Sequence, residues 1–123
     1  MNQQLNSAKK EKIQTIDWLT ELFPAAFFKK PSHIKPLKIG IFDDIIDFYE
    51  RLDEPPYSKK AIREALNYYS ASPAYLSCQK SSTARIDLYG NEVDVVTEEQ
   101  AKYARQRYQQ RYAEKKHPEK NKL

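Results

Sequence analysis

Apolar positions recur at helical spacing in four stretches of the chain and alternate at strand spacing in one. Ile13, Ile16 and Leu19, joined by Trp18 and Leu22, give residues 9–22 one apolar face. Pro24 disfavours the α conformation in the residue before it, so this helix is expected to stop near Phe23. Ile41, Ile45 and Phe48, with Phe42, Ile46, Tyr49 and Leu52, predict a second helix over 41–52, closed by Pro55 and Pro56. Ile62, Ala65, Leu66 and Tyr69 recur at i, i+3, i+4 and i+7, and Ser58 is a suitable N-cap, so a third helix is expected over 58–70. Pro73 breaks it, and Tyr75 and Leu76 suggest a short turn before a loop over 77–83. In ARIDLYGNEVDVV, Ile86 and Leu88 alternate with Arg85 and Asp87, and Val93 and Val95 with Asp94 and Val96; Gly90 and Asn91 mark the turn of a hairpin. Thr97 to Gln100 reads as a capping box opening a last helix, with Ala101, Ala104, Tyr108 and Tyr112 on its buried side.

These elements predict an α+β chain, mostly helical, with about four to five helices and one small β-hairpin. Residues 1–8 are expected to be disordered, 9–114 to form one domain, and 115–123 to be a flexible basic tail. The connector AAFFKKPSHIKP is expected to be pinned to the core by Phe27 and Phe28. A chain of 123 residues fits one domain with a single modest core.

Charge modifies this picture. The net charge is +4, but residues 35–96 carry eight Lys/Arg against ten acids, while residues 97–123 carry eight against four. A nucleic-acid partner would therefore be held by a few placed cations in the middle, with the basic ends adding salt-sensitive attraction. One cysteine, Cys78, excludes a disulfide within the chain and suggests a reducing compartment. The start of the chain, MNQQLNSAKKEK, has no apolar signal segment, and no run approaches the ~20 apolar residues of a membrane span. The expectation is a cytoplasmic protein.

Three constellations could carry chemistry. Lys59, Arg63 and Asn67 form a polar stripe beside the apolar face of the third helix, with Ser58 at its mouth. A helix N-terminus with flanking cations attracts phosphate; the plain alternative is a capped, solvated surface helix. Tyr75 and Arg85 could pair a stacking ring with a phosphate-gripping fork, which suits single-stranded RNA. The alternative is that Tyr75 packs under the hairpin and Arg85 pairs with a nearby acid. Asp43, Asp44 and Asp47 could hold a metal, but no His joins them, and acids are favoured at a helix start anyway. Cys78 lacks a partner that would make it a reactive thiolate, and no catalytic motif or Gly-rich phosphate loop is present. The reading calls for no enzyme, no cofactor and no metal. The charges Arg105, Arg107 and Arg111 read as a solvated helix face.

The segments FPAAF, PLKIGIFDDI, SKKAIREALNYY, YL and ARIDLYGN together resemble the ProQ/FinO domain of bacterial RNA chaperones, over about Trp18 to Tyr108. The resemblance implies a compact helical domain, a monomer, that binds structured RNA, typically the base of an intrinsic-terminator hairpin with its U-rich 3′ end, in small-RNA-based regulation. It implies RNA contacts at Lys35, Lys38, Lys59, Arg63, Tyr75 and Arg85, with Asp44 at an acidic helix-start position and Ser58 capping a helix that presents N–H groups to the terminal nucleotide. Asn67 stands where relatives often carry a base, and Pro73 and Ala74 where some carry an aromatic and a basic residue. No basic linker or second domain is seen, so a minimal version is expected. The competing expectation is a protein-interaction module that uses its exposed tyrosines and acidic helix without specific RNA binding.

Overall fold

A computed structural model describes residues 2–113 of the chain. Five helices and one two-stranded antiparallel hairpin follow one another: α1 (Asn2–Leu22), α2 (Ile41–Tyr49), α3 (Lys59–Ser70), α4 (Pro73–Cys78), β1 (Ala84–Ile86), β2 (Glu92–Val95) and α5 (Glu98–Tyr108). The mostly helical α+β expectation is met. Its boundaries shift at three places. α1 begins at Asn2, so residues 2–8 are helical where disorder is expected from their polarity. α2 ends at Tyr49, and turn hydrogen bonds carry the chain to Leu52. The turn at Tyr75 is a short helix, α4, begun by Pro73 at a position where the missing N–H costs nothing and capped by Ser72 Oγ, which accepts the Tyr75 N–H at 3.2 Å. The expected tail, 115–123, lies outside the described residues.

The core forms where α1, α2 and α3 meet the connector. Leu19, Phe23, Phe27, Ile45, Ile62 and Tyr69 are all buried there. Phe23 meets the edge of Phe48 at 5.2 Å, and Phe27 meets Tyr69 at 5.3 Å. A fully buried side chain of this size contributes about 1.5–3 kcal/mol, so Phe27, placed in the connector, anchors it firmly. The Tyr69 hydroxyl accepts the Phe28 N–H at 3.1 Å, which satisfies a connector amide inside the core.

The hairpin is held on both sides of β1. On one side β2 pairs antiparallel, with an irregularity between Arg85 and Ile86. On the other side the connector runs parallel: Ile86 N–H donates to Pro36 O at 3.0 Å, and Lys38 N–H donates to Ile86 O at 2.8 Å. The turn needs a left-handed residue, and Gly90 supplies it at φ 84; a Cβ there would come within 3.0 Å of the Ala25 Cβ. Strand alternation fails here in two ways. Arg85 is buried together with Ile86. Val93 and Val95 are exposed, while Val96 is buried and donates its amide to Thr83 O. The bulge and the second pairing to the connector change which residues face inward.

Candidate nucleic-acid interface

The mouth of α3 behaves as its sequence implies. Ser58 is extended, and its Oγ accepts the Ala61 N–H at 3.0 Å. Three cations around it are attached to the α2 segment. Lys59 forms an ion pair with Glu50. Arg63 lies over the Phe42 ring at 4.9 Å. Lys38 donates to Asp44 Oδ2 at 2.8 Å, and this bond and charge hold its amine above the ordinary lysine range. Lys35 is exposed and has no ion-pair partner among the described residues. Exposed pairs of this kind contribute little, so Lys59 and Lys38 can exchange a carboxylate for a phosphate at small cost.

Tyr75 and Arg85 lie elsewhere. They meet in a cleft of about 690 Å³ bounded by the C-terminal half of α3, by α4 and by α5. The nearest α3 residue of this cleft is Asn67, so the mouth at Ser58 lies roughly 14 Å of helix rise away from it. The structure therefore does not bring Ser58 into one pocket with Tyr75 and Arg85, as the resemblance implies.

Inside the cleft both residues converge on the backbone of Leu37, one at each of its two peptide groups. The Leu37 N–H donates to Tyr75 Oη at 3.0 Å, and Arg85 Nη1 donates to Leu37 O at 2.9 Å. Arg85 Nη2 donates to Gln100 Oε1 at 3.0 Å. Gln100 Oε1 also accepts the Thr97 N–H at 2.9 Å and so completes the capping box of α5. Arg85 is only 6% exposed, and its partners are neutral oxygens rather than the acid that the plain alternative expects. Its Nε has no hydrogen-bond partner. A buried guanidinium with an unpaired N–H favours a hydrogen-bond acceptor. Burial pushes the Tyr75 hydroxyl pKa up, so at neutral pH the phenol keeps its proton, and its lone pair already holds Leu37. Arg85 is thus not an open surface fork: α5 and the connector cover it, and its hydrogen bonds hold the hairpin to both.

α5 supplies what the sequence left as a solvated face. Tyr103 is 59% exposed at the cleft and accepts a hydrogen bond from Arg107 Nη1 at 2.9 Å. Arg107 and Arg111 line the same cleft. The i, i+4, i+8 spacing of Tyr103, Arg107 and Arg111 was the available signal. Tyr112 Oη donates to Ala71 O at 2.8 Å, which fixes the end of this helical segment against α3. The cleft thus combines an exposed ring, three guanidinium groups, the amide of Asn67 and one carboxylate, that of Glu99, so its charge is net positive. That set can stack a base and neutralise phosphates. Among the described residues no cluster of His, Cys, Asp and Glu could hold a metal, and no helix is long and apolar enough to cross a membrane.

The sequence model described as the ProQ/FINO family matches residues 9–122. An RNA chaperone ProQ of Aeromonas salmonicida is 42% identical over 98 residues, covering 79% of this chain and 45% of the relative. One from Vibrio vulnificus is 39% identical over 106 residues, covering 85% and 47%. The chain thus spans about half the length of the curated relatives it matches. The solution structure of a ProQ homologue from Legionella pneumophila is 78% identical, with a TM-score of 0.74 over 82% of this chain and 83% of that one. The crystal structure of a FinO-like RNA chaperone from Neisseria meningitidis MC58 is 25% identical, with a TM-score of 0.61 over 83% and 84%.

Proposed function

The chain belongs to the ProQ/FINO family, and on that premise we propose that it binds structured RNA as an RNA chaperone. Its relatives carry the name RNA chaperone, and the cleft of Tyr75 and Arg85 supports the same reading. The observation that carries it is the exposed Tyr103 beside the cations of α5, lining the cleft in which Arg85 is fixed. An RNA end entering this cleft would meet a guanidinium for its phosphate or hydroxyl oxygens and a ring for its base. The duplex part of the same RNA would lie along Lys35, Lys38, Lys59 and Arg63, whose contacts fix position without reading sequence. The preferred ligand is an intrinsic-terminator hairpin with a U-rich 3′ end, and the role is small-RNA-based regulation in the cytoplasm, carried out by a monomer.

The test is binding of one such hairpin in three matched forms: a free 3′ hydroxyl, a 3′ phosphate, and no tail. Clearly strongest binding of the free-hydroxyl tail supports an end-reading cleft. Equal binding of all three, lost at moderate salt, would mean that only diffuse positive charge attracts the RNA.

A further inference from the structure

α3 and α4 carry a second concavity on a different stripe of their surfaces. Ile13 and Ile16 of α1, Phe28 and Ile34 of the connector, Tyr68 of α3 and Ala74 of α4 line an apolar groove of about 650 Å³. Ile13 is 42% and Tyr68 38% exposed, so two large apolar side chains stand open at its edge. The RNA cleft uses Asn67, Ala71 and Tyr75 of the same two helices. The two sites therefore share helices but not residues.

Of the four hydroxyls in the groove wall, those of Tyr69 and Ser72 are already engaged, and those of Tyr68 and Ser77 make no hydrogen bond among the described residues. Tyr69 Oη accepts the Phe28 N–H, and Ser72 Oγ donates to Tyr69 O at 2.8 Å while accepting the Tyr75 N–H. A nucleobase would find little to pair with there, whereas apolar side chains would give up no hydrogen bonds. The rim is positive. Asp17 and Lys29 cancel each other at 3.3 Å. Lys12 lies 5.9 Å from the Tyr68 ring, Lys9 is one turn before Ile13, and Lys30 follows Lys29; none of these three has an ion-pair partner among the described residues. Glu64, one turn before Tyr68, tempers that charge without cancelling it.

We propose that this groove docks an acidic amphipathic segment of a partner protein. Apolar anchors at i, i+4 and i+7 would enter between Ile13 and Tyr68, and flanking carboxylates would face Lys9, Lys12 and Lys30. Because the cleft lies on another stripe of α3 and α4, partner and RNA bind at the same time.

The test uses the full chain and a labelled helical peptide with Leu at those three spacings and Glu or Asp elsewhere, read by fluorescence anisotropy. Two controls accompany it: the same residues in scrambled order, and the same pattern with Lys in place of the acids. The acidic amphipathic peptide is expected to bind at least about tenfold more tightly than either control, and Ile13→Asp or Tyr68→Ala to weaken it about tenfold. Both side chains are surface-exposed, so melting curves and affinity for a terminator hairpin should stay close to wild type. Equal binding of the acidic and scrambled peptides overturns the proposal. So does displacement of the peptide by the RNA hairpin, which would assign the groove to nucleic acid.

Discussion

Gln100→Glu separates folding from RNA binding at one atom. Gln100 Oε1 accepts both the Thr97 N–H and Arg85 Nη2. A glutamate keeps both bonds, makes the Arg85 contact charge-assisted, and places an acid in the first turn of α5, where the helix dipole favours it by about 0.3–1 kcal/mol. Stability should hold or rise slightly. The cleft, however, loses one positive charge. A phosphate on the order of 6 Å from the new carboxylate is repelled by roughly 0.7–3 kcal/mol for an effective dielectric constant between water and a protein surface, or roughly 3- to 100-fold in affinity. Gln100→Leu does the reverse. It removes a cap and leaves a buried charged donor unpaired, for a loss of about 2–4 kcal/mol. Urea melts and filter binding of a U-tailed hairpin measure the two quantities separately. A folded Gln100→Glu protein that binds RNA as tightly as wild type would refute the assignment of the cleft. A strongly destabilised one would refute the hydrogen-bond geometry around Arg85.

Arg85→Ala is expected to weaken RNA binding, and it should also lower stability by about 2–4 kcal/mol, because Leu37 O and Gln100 lose a buried partner; an unchanged denaturant midpoint would contradict that. Asn67→Arg adds a cation at the cleft wall and should raise hairpin affinity severalfold at low salt; unchanged or lower affinity would remove α3 from the contact surface. Burial pushes the Cys78 thiol up to about 11, so at pH 8 modification by a thiol reagent should run roughly 200-fold slower than for a free cysteine; labelling at the free-thiol rate would show the site to be open. The same shift has a stability consequence. A folded pKa raised above the unfolded value gives stability that is complete below about pH 9 and is lost as pH rises through about 11; with Tyr69 pushed to about 12 by burial, thermal midpoints should fall in that alkaline range. A flat profile up to pH 12 would count against both burials.

The local elements were legible because each carries its own signal. Ser58 and Thr97 are caps with a short hydroxyl at the right spacing, and both cap as the spacing implies. Gly90 is one of two glycines in the chain and sits where φ is positive. Arg85 was legible as important but not as buried. Its burial depends on contacts 48 and 15 residues away in sequence, with Leu37 and Gln100, and no local period encodes them. The alternation rule assumes a strand with one open face, whereas β1 is paired on both edges and covered by α5. Tyr103 was missed because an exposed Tyr on a charged helix is indistinguishable, by spacing, from a solvated one.

Affinity and selectivity would separate between the surface cations and the cleft. Lys59, Lys38 and Arg63 are exposed or half-exposed, and each is held by a weak local contact. Releasing them toward phosphate displaces counterions, and that term falls steeply with salt. Arg85 is different: it is already desolvated, and its partners fix its plane before any ligand arrives. A preorganised buried donor is screened far less by salt. Raising ionic strength should therefore remove the contribution of the stripe first and leave that of the cleft, so discrimination between a free 3′ hydroxyl and a 3′ phosphate should persist as total affinity drops. Truncating Lys59 should lower the salt slope by about one contact and leave that discrimination intact. If discrimination disappears in parallel with affinity, the cleft reads charge alone, and the preorganisation of Arg85 serves only to join the hairpin to α5.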